Sequence, residues 1–398
     1  MSDVKVSDAA LSRRIAAVDV VRGLIMIIMA LDHTRDFFSS ATVDATDPMH
    51  SWPSLFFTRW ITHLCAPGFV ALAGTSVYLQ KMRGRTRGEM GKRLVLRGIW
   101  LLFVEAAVVS FGIFFTYHFH FFQVIYAIGG SMIVLAGLQF LPTRWVAVYG
   151  FAVVLLHDLL RGIHADSLGH FAGVWQFVVS TGFFFKGDTP WMFVMYPLLP
   201  WSGVMALGYC FGAVVSLPAE RRRVWSARIG VVALVLFAVL RVTNVYGDSK
   251  MFEHPMDSNA QIVMSFFDVT KYPPSLQYLC ATLGILLVVF AVVDWMLERR
   301  WIPRALDVVE IYGRVPLFYY VLHFYLIHLL ALGALMVAMG TVHVHPPLPL
   351  FGGFVPQGKF SLPVVYAIWI GVVAVLYWPC KWFAGVKARR RDWWLSYL

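Results

Sequence analysis

Apolar stretches of about 20 residues recur from one end of this sequence to the other, and that repetition limits the fold more than any single motif. A hydrocarbon core about 30 Å thick is crossed by about 20 helical residues, each rising about 1.5 Å. Inside it the backbone has no water to bond, so only helices and closed barrels are viable. Barrel strands are only about 9–11 residues long and alternate in polarity, a pattern these stretches lack. About ten spans meet the helical description, at roughly 15–38, 55–79, 92–116, 120–141, 144–161, 195–216, 225–243, 275–296, 310–338 and 361–384. Composition agrees: of 398 residues, 59% are hydrophobic and 14% charged, where soluble domains carry about 25% charged residues. A soluble enzyme, a disordered chain and a nucleic-acid-binding domain are excluded, and the partner that remains is the lipid bilayer. The expectation is an all-α integral membrane bundle, with a tail over 1–14, one polytopic domain over 15–385 and a basic tail over 386–398. The first apolar segment carries Asp19, Arg22, Asp32 and His33, so it reads as a retained span rather than a cleaved signal.

Net charge is +11, and the basic residues sit in short clusters between spans. Arg13 and Arg14, the Lys81–Arg93 segment, Arg221–Arg223, Arg299 with Arg300, and Lys387–Arg391 all fall on one side of a ten-span arrangement. Both termini are therefore expected in the cytoplasm. Longer loops at 39–54, 162–194, 244–274 and 339–360 face the other way and carry His50, His164, His170, His254, His343 and His345, so function is expected to gather there. Cys65, Cys210, Cys280 and Cys380 lie in apolar segments without a C-x-x-C pair and read as buried thiols. The H-x-H runs His118/His120 and His343/His345 have no Cys or carboxylate pattern to complete a ligand set, so no metal is expected. Gly208-Tyr-Cys-Phe-Gly212 is a GxxxG that lets helices approach closely. No phosphate-binding loop, dinucleotide fingerprint or G-x-S-x-G elbow occurs. Self-association is left open.

The first span carries the most chemistry. Ionisable side chains inside a membrane are costly and usually face the bundle interior. At about 100° per residue, Asp19, Arg22, Met26, Met29, His33 and Asp36 share one broad face. Asp19 and Arg22 form an inner polar layer, read as an ion pair or as a phosphate contact. Asp32, His33, Arg35 and Asp36 form an outer layer about 20 Å along the axis. There Asp36 could hold one imidazole nitrogen of His33, leaving the other as base or nucleophile, and Arg35 could stabilise an oxyanion. In the second span His63 sits at matching depth with Arg59 one turn away, and Pro67 should kink the helix. In the ninth, Glu310 and Arg314 read as a structural pair. His323 and His328 lie about 140° apart, so only one can face a common site.

These residues leave several classes open. One is a proton-coupled transporter or exporter of a small polar solute, with the Asp/His layer as relay; it lacks paired, Gly/Pro-broken spans. Another is a haem or quinone protein, for which His33, His63, His323 and His328 make no evident axial pair. A third class follows from resemblance. Residues 18–33 (VDVVRGLIMIIMALDH), CAPGFVALAG at 65–74, KYPPSL at 271–276 and GRVPLFYYVLHFYLIH at 313–328 resemble the heparan-α-glucosaminide N-acetyltransferase catalytic-domain family, and more closely its bacterial branch. The resemblance runs from roughly 15 to 385. It implies a transmembrane acyltransferase of the plasma (bacterial inner) membrane that carries an acyl group from acetyl-CoA to a sugar, amino-sugar or glycan acceptor. The family's catalytic histidine precedes a tryptophan in the loop after the first span, which points to His50 in Met49-His50-Ser51-Trp52. The family's assisting asparagine is replaced by His33. The implied site is then His50 or His33 as base or acyl carrier, with Asp32 and Asp36 for charge balance, Arg35 for the oxyanion and His63 completing the layer. Asp19 and Arg22 would meet coenzyme A, while Trp52, Lys271, Tyr272, His323 and His328 would meet the acceptor.

Overall fold

A computed structural model describes residues 8–40, 43–253, 257–339, 360–390, 392 and 395. The helices are α1 (Asp8–Phe38), α2 (Pro53–Ile61), α3 (Cys65–Lys81), α4 (Arg87–Val104), α5 (Ser110–Phe114), α6 (Val124–Leu138), α7 (Thr143–Leu156), α8 (Ala172–Val178), α9 (Leu198–Val215), α10 (Ala219–Thr243), α11 (Asn259–Phe267), α12 (Leu276–Glu298), α13 (Pro303–Arg314), α14 (Pro316–Met339) and α15 (Leu362–Arg389). The strands are β1 (His120–Phe122), β2 (Gly182–Lys186) and β3 (Thr189–Val194). Helix occupies each of the ten expected intervals. Among the described residues, 8 helical segments are long and apolar enough to cross a membrane. The other two intervals fall short for separate reasons: α1 is long but carries the charged layers, and α6 has only 15 residues. His254, His343, His345 and most of both tails lie outside the described residues.

Proline and local backbone demand explain where the spans are interrupted. In the second span, α2 and α3 are separated by a 3-10 turn at Thr62–Leu64. Pro67 has no N–H to offer the carbonyl of His63, four residues back; that carbonyl instead accepts from the Tyr278 hydroxyl at 2.8 Å. The third span opens into a π turn at Glu105–Val109. Its loosened carbonyls find side-chain donors, with Tyr325 Oη reaching Val108 O at 2.9 Å. The expected ninth span of 310–338 is corrected: Val315 leaves the helical region ahead of Pro316, so α13 is a separate short helix and α14 alone is the apolar one. The fourth span begins at Val124, because His120 lies in β1. The loop expected at 162–194 holds α8 and the hairpin β2–β3, and β1 joins it in the order β1-β3-β2, parallel to β3 with Phe121 opposite Phe193.

Helices α1, α3, α9 and α12 form the centre; α7, α10 and α15 lie outside and present apolar side chains such as Val232, Ile370 and Trp378 outward, as lipid contact requires. The GxxxG works as packing. A Cβ on Gly208 would meet the Ala71 carbonyl at 2.1 Å, so α9 and α3 touch backbone to backbone. On the far side, Arg222 forks onto Asp294 at 2.6 and 3.2 Å and pins α10 to α12. A Gly208→Leu variant should therefore melt earlier in detergent by the equivalent of at least about 1–3 kcal/mol. Gly137→Leu, at an exposed position with nothing within 4 Å of its Cβ, should melt near wild type. Equal melting of the two would disprove the close α3–α9 contact.

Candidate active site

The inner layer of α1 is held by more than an ion pair. Arg22 Nη1 donates to Asp19 Oδ1 at 2.7 Å and to the Gly313 carbonyl at 3.0 Å, and Nη2 donates to Ser76 Oγ at 2.8 Å. One guanidinium thus ties α1 to α3 and α13. It also lines a cavity of about 290 Å³ bounded by α1, α3, α4, α6, α13, α14 and α15. Five cations stand around its inner end: Arg22, Arg93, Arg97, Arg314 and Lys387. Above them the wall turns apolar, with Met26, Phe69, Leu101 and Ile125, and the cavity reaches Tyr320.

Eleven residues beyond Arg22, about 16 Å along the helix, stands His33. Its Nδ1 lies 2.6 Å from His323 Nε2 on α14. The rings stack at 4.9 Å, and Phe324 covers His33 at 4.0 Å. The tautomers follow from the partners. His323 Nδ1 faces the Tyr319 carbonyl at 3.1 Å, which can only accept, so that nitrogen carries the proton. His323 Nε2 then accepts from His33 Nδ1–H, and His33 Nε2 keeps a lone pair. His323 is sealed while His33 is partly exposed, so the unprotonated nitrogen belongs to the accessible ring. Tyr320 packs edge-on against both imidazoles, 6.4 Å from His33 and 5.5 Å from His323.

The outer layer is a buried charge network. Asp32 accepts from Arg35 at 3.0 Å and from Arg59 at 2.7 Å, while Arg35 also donates to Asp36 at 2.6 Å. Asp36 is therefore engaged with Arg35, and the expected Asp36–His33 contact is replaced by the histidine pair. Lys271 lies within electrostatic reach of Asp32 and His33. It also stands 5.1 Å over the Tyr272 ring. Burial raises the Tyr272 phenol, but the charges of Lys271 and Arg59 outweigh it and hold the group below its ordinary value.

The K-Y-P-P-S-L segment is fixed from beneath. His157 Nε2 lies 2.7 Å from the Pro274 carbonyl, Leu276 N donates to Asp158 at 2.8 Å, and Thr270 N donates to Asp248 at 2.9 Å. Buried Arg241 donates to the carbonyls of Phe266, Lys250 and Asp268 at 3.0, 2.6 and 2.8 Å and shapes the loop that delivers this segment.

Other expected site residues stand apart. His50 is 71% exposed and lies 2.6 Å from Asp47. Slight burial raises the Asp47 carboxyl, but hydrogen bonds from His50 and the Met49 amide hold it below its ordinary value. Trp52 is exposed beside this pair. His63 is wrapped by Trp60 and Tyr278, with Nδ1 unbonded. His328 faces away from His323, with Nδ1 3.0 Å from the Gly112 carbonyl. Among the described residues, no three His, Cys, Asp or Glu side chains converge as metal ligands. Sequence reading missed Tyr320, which carries no charge to draw notice, and Glu105, a lone acid in an apolar span whose position was the signal available.

A family model described as heparan-alpha-glucosaminide N-acetyltransferase, catalytic, matches residues 14–237, more than half of the chain. The segments 271–276 and 313–328 lie beyond the match. No curated protein matches the chain.

Removing Asp32 would leave two buried guanidinium groups without their shared anion. Asp32→Ala should destabilise the folded protein by about 3–5 kcal/mol, read as an earlier detergent melt. Asp36→Ala, which leaves Arg35 its bond to Asp32, should cost distinctly less. A reversed order would contradict the shared role of Asp32.

Proposed function

The chain belongs to the heparan-alpha-glucosaminide N-acetyltransferase catalytic family, and from that premise we propose that it is a membrane acyltransferase. It moves an acyl group, acetyl in the simplest case, from cytoplasmic acyl-CoA to a sugar, amino-sugar or glycan acceptor on the opposite face. The observation that carries this reading is the graded cavity: five cations at one end, apolar walls along its length, and at the other Tyr320, behind which the His33–His323 pair packs. The donor set fits coenzyme A. Arg22, Arg93, Arg97, Arg314 and Lys387 suit its phosphates. Met26, Phe69, Leu101 and Ile125 suit an uncharged pantetheine arm. The basic clusters around the same end support a cytoplasmic donor side.

His33 acts as the general base. Its Nε2 takes the proton from the acceptor nitrogen or oxygen as that atom bonds to the acyl carbon. The carbon–sulfur bond breaks, and the same imidazole returns the proton to the departing sulfur. His323 receives the His33 Nδ1–H and passes part of the developing charge to the Tyr319 carbonyl. Asp32, Arg35, Asp36 and Arg59 hold α1 in rotation. Lys271 and Tyr272 face the acceptor side. The Asp47–His50 pair supports a second reading, in which His50 is the base as the family position implies; the same experiment decides between them.

Purified protein in detergent should be stabilised by acetyl-CoA and by CoA, and not by ATP at equal concentration. At a hundredfold excess over Kd the gain is about 2.7 kcal/mol. His33→Ala and His323→Ala should each fold and lose about 10²–10⁴-fold in transfer to a sugar acceptor, while His50→Ala loses less than tenfold. Loss at His50 with His33 dispensable would move the base to the loop. No donor stabilisation, with cooperative melting, would end the acyltransferase reading.

A further inference from the structure

The buried polar atoms sealed from solvent and without a hydrogen bond include the Tyr320 hydroxyl, on the cavity wall, and Glu105 Oε2, one turn beyond the lining residue Leu101. One is a donor and the other an acceptor. Glu105 begins the π turn of the third span, and turns of that kind gather at functional sites. Its Oε1 accepts from Gln123 N at 2.6 Å. The amides of Ile125 and Tyr126 also act on the carboxylate, so Glu105 caps α6 and is held in place. Helix α14 packs against this turn, and Glu105 lies within electrostatic reach of the Tyr320 hydroxyl. Leaving a complementary donor and acceptor unjoined in an apolar interior costs free energy on both. An unpaired buried group of this kind calls for an explanation.

Tyr320 also lies between the cavity and the histidine pair. It lines the cavity, and it packs against His33, His323 and Phe324, none of which lines the cavity. A chain entering from the cationic end would meet the Tyr320 ring before the histidines. We propose that Tyr320 is a gate between the donor cavity and the histidine pair, and that Glu105 is the catch that receives its hydroxyl when the gate swings open. Closed, the ring keeps water in the cavity from the histidines. Open, the new Tyr320–Glu105 hydrogen bond offsets the loss of ring contacts with His33 and Phe324. Tyr320 and Glu105 are thus positioning residues, acting through access rather than on the reacting atoms. The inference rests on the proposed donor site.

The test uses the full chain in detergent and two probes, acetyl-CoA and adenosine 3′,5′-bisphosphate. The bisphosphate carries the charged head of coenzyme A without its arm and occupies only the cationic end. Wild type should gain more melting temperature from acetyl-CoA than from the bisphosphate. In Tyr320→Phe the catch has no hydroxyl to hold, so the excess from acetyl-CoA should shrink while the bisphosphate shift stays. Without ligand, Tyr320→Phe should melt at or above wild type, because it deletes an unbonded buried hydroxyl; a purely structural tyrosine would melt lower. Its kcat should fall several-fold with KM for acetyl-CoA changed less. Glu105→Gln, which keeps the cap on α6 through its amide oxygen, should likewise lose the acetyl-CoA excess. In Tyr320→Ala the gate is absent, and acetyl-CoA hydrolysis without acceptor should rise several-fold. If wild type shifts with neither probe, the donor site itself is wrong. If wild type shifts with both but Tyr320→Phe and Glu105→Gln keep the full acetyl-CoA excess, the gate is wrong and the donor site stands.

Discussion

A carboxylate cannot be left unpaired in a hydrocarbon-sized interior, and Asp32 meets that demand with two guanidinium groups, Arg35 at 3.0 Å and Arg59 at 2.7 Å. The arrangement fixes more than charge. Arg59 belongs to α2, so the pair sets how α2 lies against α1. His33 is the next residue along, so holding Asp32 also sets the rotation that turns the His33 ring toward α14. At the other end of α1, Arg22 bonds to Gly313 O and Ser76 Oγ and sets the depth of the helix against α13 and α3. With rotation fixed at one end and depth at the other, the histidine pair can hold a 2.6 Å contact between helices that are 290 residues apart in sequence.

Much of this was legible in the sequence, in so far as the physics acts locally. Apolar length placed helix in each expected interval, proline chemistry placed the break before Pro67, and the i,i+3 spacing of Asp19 and Arg22 gave their ion pair. The GxxxG gave a close helix contact without naming α3 as its partner. What did not follow from local rules was the choice among competing partners. By sequence spacing Asp36 was the expected partner of His33, but the placement of α14 gives that bond to His323. Arg35 then takes Asp36. The outer loops were opaque for a related reason: Arg241 shapes the loop before the K-Y-P-P-S-L segment through backbone carbonyls, which a sequence pattern does not record.

The candidate site residues outside the family match sharpen the same point. Residues 14–237 supply the cations Arg22, Arg93 and Arg97, the base candidate His33 and the charge network on α1 and α2. His323, Tyr320, Lys271 and Tyr272 come from the later part of the chain. The matched segment alone would leave His33 without the acceptor that fixes its tautomer, and the cavity without Tyr320.

In the proposed reaction, the gradation of polarity along α1 also decides where chemistry can occur. The phosphates of a coenzyme A donor are held by charge at the inner end and gain nothing by moving into a wall of Met26, Phe69 and Leu101. Its arm is uncharged and can enter. A polar acceptor meets the converse restriction, stable among Lys271, Tyr272 and the Asp32 network and excluded from the apolar shaft. In that reaction the two meet at the level of His33, so that neither carries a charge or an unbonded polar group through hydrocarbon. A partly exposed imidazole backed by a sealed one suits that level, because it can take a proton there without bringing in a permanent charge. In that reaction, the barrier that protects the bilayer's interior from ions also positions the chemistry, and Tyr320 stands at that level as the proposed gate.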